Sequence, residues 1–344
     1  MSDNILVIGN GFDLAHGRKT KYSDFMEWIC QPSDDFKKNH PDLLFSNRFP
    51  AYKNSSLMTY LIYCFENNQK IKGWIDLEQE LKTFIHYIDE LIDYLNEQYY
   101  NTTDSAYKIG SRSVNITYAI LINQLVSIFN IKSFEADIKN EYINTLWKID
   151  KQKIFEKIRS ELMELRSAFE FYLIHVEPLL HNQIERIDII SKIDPLYVIS
   201  FNYTDTIQKV YGVQPENICY IHGKINEKNI VLGYDDSDGS TEDLDFKKYY
   251  QRLIYETDKI KYIKFQSSDG YGGLINHTIY FFGHSLDVSD KDILSSLFSR
   301  NNPVKIYYRD NEDKSTKIKN IIKILGKQKA NQKLLSNSIS FFTE

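Results

Sequence analysis

The chain has 344 residues, of which 42% are hydrophobic and 26% are charged. This composition suits one large globular domain or two smaller ones and excludes a disordered chain. The formal net charge is −5, so no overall electrostatic attraction draws the chain to duplex nucleic acid or to an anionic membrane. Cys30, Cys64 and Cys219 are too few and too far apart for a disulfide framework or a CxxC zinc site, so we expect a cytoplasmic protein.

The N-terminal segment is a short apolar run, Ile5–Ile8, that stops at Gly9. It predicts a first β-strand rather than a signal peptide, and no segment has the length of apolar residues that spans a bilayer. A long helical region follows. Apolar residues recur at three- and four-residue spacing from Leu57 to Tyr100 and from Asp150 to beyond Leu180, which predicts amphipathic helices. Two more helices are predicted between them, from about Asn115 to Phe129 and from about Phe134.

After Asp194 the pattern changes to short apolar runs separated by helical segments. Strands alternating with helices predict an α/β fold with a doubly wound, mostly parallel sheet. We expect the core to be residues 1–23 plus 194–344, with residues 24–193 forming a large helical insertion or cap after the first strand. A basic helix is expected over Lys314–Lys333. The predicted strands are Leu196–Ser200, Ile218–Ile221, Ile230–Leu232, Thr278–Phe282 and Val304–Tyr308, and the predicted helices are Thr204–Tyr211, Leu244–Lys259 and Asp290–Ser299.

Glycines are scarce, and several follow the predicted strands. Gly9, Asn10 and Gly11 come directly after the first strand, where bare backbone N–H groups and a helix N-terminus form a cradle for phosphate or diphosphate. The alternative is a tight strand-to-helix turn. Asp13 argues against a bound diphosphate, because its carboxylate would repel one.

Polar residues follow two further strands. Asn202 comes with Tyr203 and Asp205 after the strand that ends at Ser200, and an amide there can hold a carboxamide, a ribose hydroxyl or a water. An N-cap is the alternative role of this asparagine. His222 and Gly223 end the next strand, where a histidine can serve either as a general base or as a structural group.

A last group follows the strand that ends at Phe282. Gly283 would permit close approach of a ligand, Ser285 can donate a hydrogen bond to a phosphate or ribose, and Asp290 can cap the next helix. Because the carboxyl ends of parallel strands share one edge of the sheet, we expect all these groups to line one cleft. Metal-ligand residue types are present, but no tight HxxxH or DxH spacing occurs, so no metal site is predicted.

Five segments carry a resemblance in chain order: Ile8–Gly17 with Thr20, Tyr22 and Phe25, then Trp74–Glu78, Phe201–Thr204, His222-Gly223 and Phe282–Leu286. In these segments the chain resembles the AbiH family of phage abortive-infection proteins, and the resemblance extends over nearly its whole length. It implies a role in bacterial defence, in which infected cells stop growing or die.

A more distant resemblance is to sirtuin-like NAD-hydrolase domains, and it implies a Rossmann-like core. It also implies that NAD is a substrate, with no cofactor required, and that the nicotinamide N-glycosidic bond is hydrolysed. Asn202 would position the nicotinamide ribose or a water, and His222 would accept a proton from a ribose hydroxyl. Asp13 stands where that pattern has serine, and Thr204 is inserted before Asp205. The nucleotide-binding residues that we predict are Gly9, Asn10, Gly11, Asp13, Tyr203, Asp205, Gly223, Gly283, His284, Ser285 and Asp287.

Two other functions stay open from the sequence. One is a nuclease or RNA-targeting toxin that uses the basic segments around Lys247-Lys248 and Lys317–Lys333. The other is a non-catalytic nucleotide sensor. A phage-derived trigger and a homo-oligomer are also left open as partners.

Overall fold

The computed structural model describes residues 4–67, 74–100, 108–110, 121–132, 135–146, 148–181, 184–235, 243–257, 277–299 and 302–344. The chain divides into two compact units. The first consists of Met1–Lys21, Leu173–Ser237 and Lys248–Glu344, and the second of Tyr22–Tyr172 and Asp238–Lys247. None of the helices described is both long and apolar enough to cross a bilayer.

Strands and helices take the following labels in chain order. The strands are β1 Ile5–Ile8, β2 Lys108–Gly110, β3 Phe129–Lys132, β4 Glu135–Ile138, β5 Tyr197–Ser200, β6 Ile218–Tyr220, β7 Ile279–Phe282, β8 Val304–Tyr308 and β9 Ile339–Thr343. The helices are α1 Asn10–Ala15, α2 Tyr22–Cys30, α3 Asp34–Asn39, α4 Phe45–Arg48, α5 Ser56–Asn67, α6 Trp74–Tyr100, α7 Lys151–Phe171, α8 Asp188–Ile193, α9 Thr206–Tyr211, α10 Lys248–Tyr255, α11 Lys291–Ser299, α12 Asn311–Leu325 and α13 Lys327–Leu335.

The first unit is built on a six-stranded parallel sheet with the order β6-β5-β1-β7-β8-β9. β1 lies inside the sheet, since Ile5 pairs with Tyr197 of β5 on one side and with Ile279 of β7 on the other. Successive side chains of a strand point to opposite faces. Accordingly Ile5 and Val7 pack with α11 and α12, whereas Leu6 and Ile8 pack with α8 and α9. Helices therefore cover both faces of the sheet, and the predicted mixed α/β class is confirmed.

The second unit is mainly helical, with a small antiparallel sheet of order β2-β4-β3. The apolar stripes predicted for its long helices are buried, and Phe25 of α2 packs edge-on against Phe169 of α7 with ring centroids 5.3 Å apart. Regular α7 ends at Phe171, and the chain continues through a π-turn and a 3₁₀ turn that contains Pro178. The buried stripe residues are Leu77, Leu81, Phe84, Ile88, Leu91 and Leu95 in α6, and Ile154, Ile158, Leu162, Leu165 and Phe169 in α7.

Of the two helices predicted between the long helices, the second is wrong, and the first is helical at residues 121–124 but ends before Phe129. The helix expected from about Phe134 is strand β4, which pairs with β3. The helix expected over Asn115–Phe129 lies partly outside the described residues, and a turn at 126–128 leads from residues 121–124 into β3. The Lys139 ammonium donates to the carbonyls of Val126 and Ser127 and so links this turn to the residue that follows β4.

The strand predicted at Ile230–Leu232 is also wrong, although the run is buried. Val231 N donates to the His222 carbonyl, and the Tyr203 hydroxyl donates to the Val231 carbonyl. The Gln251 side chain accepts from Leu232 N and donates to the Leu232 carbonyl. Side chains thus satisfy backbone groups that a neighbouring strand would otherwise satisfy.

Further along the chain, two predicted helices have different limits. The segment expected to be helical over Leu244–Lys259 has a 3₁₀ turn at Leu244–Phe246 and then α10, and residues 258 and 259 lie outside the described residues. The basic C-terminal segment forms α12 and α13, separated at Gly326. It leads into strand β9, which the sequence did not predict and which pairs with β8.

Candidate functional site

The turn after β1 packs directly against the loop after β7. Gly11 N donates to the Gly283 carbonyl over 2.8 Å, and Gly9 N lies 3.4 Å from the Phe282 carbonyl. A Cβ atom on Gly11 would stand 2.7 Å from Gly283 O, and Gly283 itself has φ +63°. The three glycines therefore allow two loops to touch at the carboxyl ends of adjacent strands. The same hydrogen bonds occupy the Gly9 and Gly11 amides that we predicted as diphosphate donors.

Asp13 is buried and joins this turn to the loop after β5. Its two carboxylate oxygens accept hydrogen bonds of 2.6 Å from Thr204 Oγ1 and Thr206 Oγ1. Arg18 Nη1 in turn donates to Thr206 Oγ1 over 2.8 Å. Burial is the main influence on the Asp13 pKa and raises it, while Arg18 opposes that effect. Asp13 thus fixes the relative position of two loops.

The Asn202 side chain lies just past the end of β5. It is only 4% exposed, and among the described residues neither its amide oxygen nor its amide nitrogen has a hydrogen-bond partner. A buried amide left without partners costs free energy, so such a group in a native protein calls for an explanation. An amide offers one acceptor and two donor hydrogens, which together match a carboxamide, a ribose hydroxyl or a water.

His222 lies two residues past the end of β6 and is paired with a buried carboxylate. Its Nε2 is 3.0 Å from Asp290 Oδ1, and Lys248 Nζ is 3.5 Å from the same oxygen. Ser200 of β5 pairs with Tyr220 of β6 in the sheet, so Asn202 and His222 occupy equivalent positions on neighbouring strands. Burial is the largest influence on the His222 pKa and lowers it, which favours the neutral imidazole.

His284 follows Gly283 and is buried against aromatic rings. Its centroid is 4.3 Å from that of Phe201, edge to face, and its Nδ1 accepts a hydrogen bond from Leu286 N over 2.9 Å. Burial lowers the His284 pKa to about 4. The ring is therefore neutral near pH 7, with its proton on Nε2.

Three more predicted residues are held by neighbours in the same region. The Asn10 amide oxygen accepts from the Thr20 hydroxyl over 2.6 Å. The Tyr203 hydroxyl bonds to the loop that contains Val231, and the Tyr203 ring lies 6.3 Å from the His222 ring. Asp205 forms an ion pair of 3.2 Å with Lys209, one turn further along α9.

The remaining predicted residues are placed by backbone geometry. Gly223 has φ +80°, and a Cβ atom there would stand 2.1 Å from the Asn229 carbonyl oxygen. Ser285 is exposed, and its carbonyl accepts from Asn320 Nδ2. Asp287 accepts from Ser289 N over 2.9 Å and caps the turn that leads into α11. Each of these contacts orders the loops around His222 and His284.

The sequence missed Lys248 as a site residue and assigned Asp290 only a capping role. Lys248 lies in a basic segment that suggested a nucleic-acid surface, but its side chain is buried beside Asp290. Lys247 is also buried and pairs with Asp243 over 3.0 Å, and Lys317 pairs with Asp313 over 2.6 Å. These three lysines satisfy internal carboxylates and are not available as a phosphate-binding surface.

Among the described residues, no three His, Cys, Asp or Glu side chains are grouped so that they could hold a metal ion.

Searches of curated proteins and of solved structures find no match. A family model described as "Bacteriophage abortive infection AbiH" matches residues 5–310, which is most of the chain and includes every site residue described above. The chain therefore belongs to the AbiH family of bacteriophage abortive infection proteins.

Proposed function

We propose that this protein acts in abortive infection by binding NAD or a related nucleotide and hydrolysing its nicotinamide N-glycosidic bond. The observation that carries the proposal is the buried Asn202 amide at the carboxyl edge of a parallel sheet, both polar atoms of which lack a partner within the part of the chain that the structure describes. Nicotinamide carries a carboxamide, and each ribose carries hydroxyl groups, so either part of the substrate can complete the hydrogen bonds of this amide.

The strand order supports a nucleotide as the ligand. Counted along the chain within the six-stranded sheet alone, the order β6-β5-β1-β7-β8-β9 is 3-2-1-4-5-6. This is the order of doubly wound dinucleotide-binding sheets, in which the ligand lies where the strand order reverses. Here that position is between β1 and β7, so we propose a Rossmann-like, sirtuin-like core. The nucleotide would lie at this edge of the sheet, and its diphosphate would need donors other than the Gly9 and Gly11 amides, which bond to the Phe282 and Gly283 carbonyls.

The reaction needs orientation and one base. The bond between C1′ of the ribose and N1 of nicotinamide breaks, its electron pair leaves with nicotinamide, and C1′ becomes oxocarbenium-like. The pyridinium leaving group is already cationic, so no strong acid is needed. Water adds to C1′, and His222 takes up the released proton, directly or through a ribose hydroxyl. Asn202 holds the ribose or the water in position.

The test is to incubate the full chain with NAD, with and without lysate of phage-infected cells, and to measure nicotinamide and ADP-ribose by chromatography. We expect NAD to be consumed and the Asn202→Ala and His222→Ala variants to lose at least 100-fold in rate. Asn302→Ala is the matched control, since Asn302 is also a buried asparagine but bonds to the His277 carbonyl.

Three results would contradict the proposal. If the infection-activated protein neither binds nor consumes NAD or a related nucleotide, the substrate is wrong. If both site variants keep the full rate, the assigned roles are wrong. If nucleotide binds but stays intact, and both variants still protect cells, the protein is a nucleotide sensor rather than an enzyme.

A further inference from the structure

His222 is part of a buried group of three ionisable side chains. Asp290 Oδ1 lies 3.0 Å from His222 Nε2 and 3.5 Å from Lys248 Nζ, which is also 3.4 Å from Ser289 Oγ. The exposed fractions are 6% for His222, 7% for Asp290 and 2% for Lys248. The three residues come from the end of β6, the start of α10 and the turn before α11.

The contact with Asp290 determines which ring nitrogen of His222 carries the proton. An ionised carboxylate only accepts hydrogen bonds, so Nε2 must be the donor in this pair. A neutral imidazole has one N–H group, and Nδ1 is then left with a free lone pair. Within the described part of the chain, Nδ1 makes no hydrogen bond. Nδ1 is thus the nitrogen that can accept a proton from a substrate.

Lys248 changes what the carboxylate does to the imidazole. An unpaired carboxylate beside a histidine stabilises the imidazolium form, which cannot act as a base. Lys248 offsets the charge of Asp290, so the carboxylate can orient the ring with less tendency to protonate it. Other charged or titratable groups of the described residues that act on this group are Arg252 of α10, Asp235 and His284 after β7, and Arg252 also disfavours the imidazolium.

We infer that Asp290 and Lys248 are positioning residues that hold His222 as the Nε2–H tautomer, with Nδ1 as the proton acceptor. Asp290 selects the tautomer, and Lys248 keeps the ring uncharged. The acceptor role of Nδ1 rests on the proposed function, whereas the tautomer and the charge state of His222 do not depend on it.

The experiment measures the protonation state of each ring nitrogen of His222 by ¹⁵N NMR. It uses the full chain labelled at histidine, and the His222→Gln variant identifies the signals of His222. In the unmodified protein near pH 7 we expect an unprotonated Nδ1 and a protonated Nε2. Asp290→Asn keeps the shape of the side chain and removes its charge, and its amide can donate as well as accept. We therefore expect a mixture of tautomers in this variant, together with a large fall in kcat and little change in KM for NAD.

The variant Lys248→Met tests whether the charge of Lys248 keeps His222 unprotonated. It keeps an apolar stem and leaves Asp290 uncompensated, so the protonation midpoint of His222 should rise by about one pH unit or more. The acid limb of the pH–rate profile should move upward by the same amount. Lys37→Met is the control, because Lys37 also pairs with an aspartate, Asp34, but that pair is exposed, and the midpoint of His222 should not move.

Protonated Nδ1 in the unmodified protein would overturn the inference even if NAD were hydrolysed. So would an unchanged midpoint in Lys248→Met, and this variant decides the matter if Asp290→Asn does not fold. The expected tautomer in a protein that neither binds nor consumes any nucleotide would instead refute the proposed function while supporting the arrangement of the three side chains.

Discussion

Arg18 and Glu177 are 159 residues apart in the sequence and form a buried two-point ion pair. Arg18 Nε lies 3.1 Å from Oε1 and Nη2 lies 2.5 Å from Oε2, while Lys19 N donates to the same carboxylate over 3.0 Å. Because Arg18 also donates to Thr206, which bonds to Asp13, one chain of contacts links Glu177 to the turn after β1 and to the loop after β5. The positions of these two loops thus depend on the ion pair between Arg18 and Glu177.

Removing one member of this pair should destabilise the protein strongly. Glu177→Gln removes the carboxylate that Arg18 bonds at two points, and Arg18→Met leaves the Glu177 carboxylate to the His181 imidazole, 3.3 Å away, so we expect the free energy of unfolding to fall by about 3 to 5 kcal/mol in each variant. The double variant should lose less than the sum of the two, because the two side chains contact each other and their interaction is removed only once. Urea denaturation measures the free energy of unfolding of the three variants. Lys37→Ala is the control, because it breaks an exposed ion pair and should change that free energy by under about 1 kcal/mol. A loss that small in Glu177→Gln would show that the pair is not buried.

Gly283 and Gly17 form a matched pair for testing loop contact. Both have positive φ, +63° and +77°, but a Cβ on Gly283 would stand 2.1 Å from Phe12 N, whereas a Cβ on Gly17 has no neighbour within 4 Å. Gly17→Ala should therefore cost about 1 to 2 kcal/mol for backbone strain alone. Gly283→Ala should cost about 1 to 3 kcal/mol more, because two loops must separate. Equal losses in chemical denaturation would mean that the loops do not touch.

His284 should make the protein less stable in acid. Its folded pKa of about 4 lies below that of an exposed histidine, about 6.5, so the folded state disfavours the imidazolium. The free energy of unfolding is therefore unaffected by His284 above about pH 6.5 and falls as pH drops from there toward 4. The loss between pH 7 and pH 5 is about 2 kcal/mol. His284→Asn keeps an acceptor for Leu286 N but does not titrate. Its unfolding free energy in urea should fall less between pH 7 and pH 5, whereas the exposed-site variant His86→Asn should behave like the unmodified protein.

The buried amide of Asn202, which has no hydrogen-bond partner among the described residues, should lower the free energy of unfolding of the ligand-free protein. Replacing its unpartnered amide by an apolar group of similar size, as in Asn202→Leu, should raise the free energy of unfolding by about 1 to 2 kcal/mol and abolish nucleotide binding. Asn302→Leu should instead lower it by about 1 to 3 kcal/mol, because the His277 carbonyl loses its donor. Thermal unfolding and calorimetric titration with NAD measure the two effects. Destabilisation by Asn202→Leu would show that the amide is satisfied in the free protein.

The amino-acid sequence predicted most of the parallel sheet because its central strands are buried on both faces. β1, β5, β7 and β8 are continuous or nearly continuous apolar runs, as such burial requires. β9 escaped prediction, and unlike the buried edge strand β6 it keeps most of its residues partly or fully exposed. The run Ile230–Leu232 was wrongly predicted to be a strand because it is apolar and buried like the true strands. Its backbone groups bond instead to the side chains of Tyr203 and Gln251.

For the site, the sequence by itself determined which residues follow strand ends, among them Asn202, His222 and Gly283. Only the tertiary structure decided what they meet: Gly11 contacts Gly283, and His222 pairs with Asp290, which is 68 residues away, next to Lys248 of α10. The physical reason is that burial along one strand leaves a local, periodic signal in the sequence. The partner of a side chain at a strand end depends instead on the order of strands in the sheet, and no local pattern records that order.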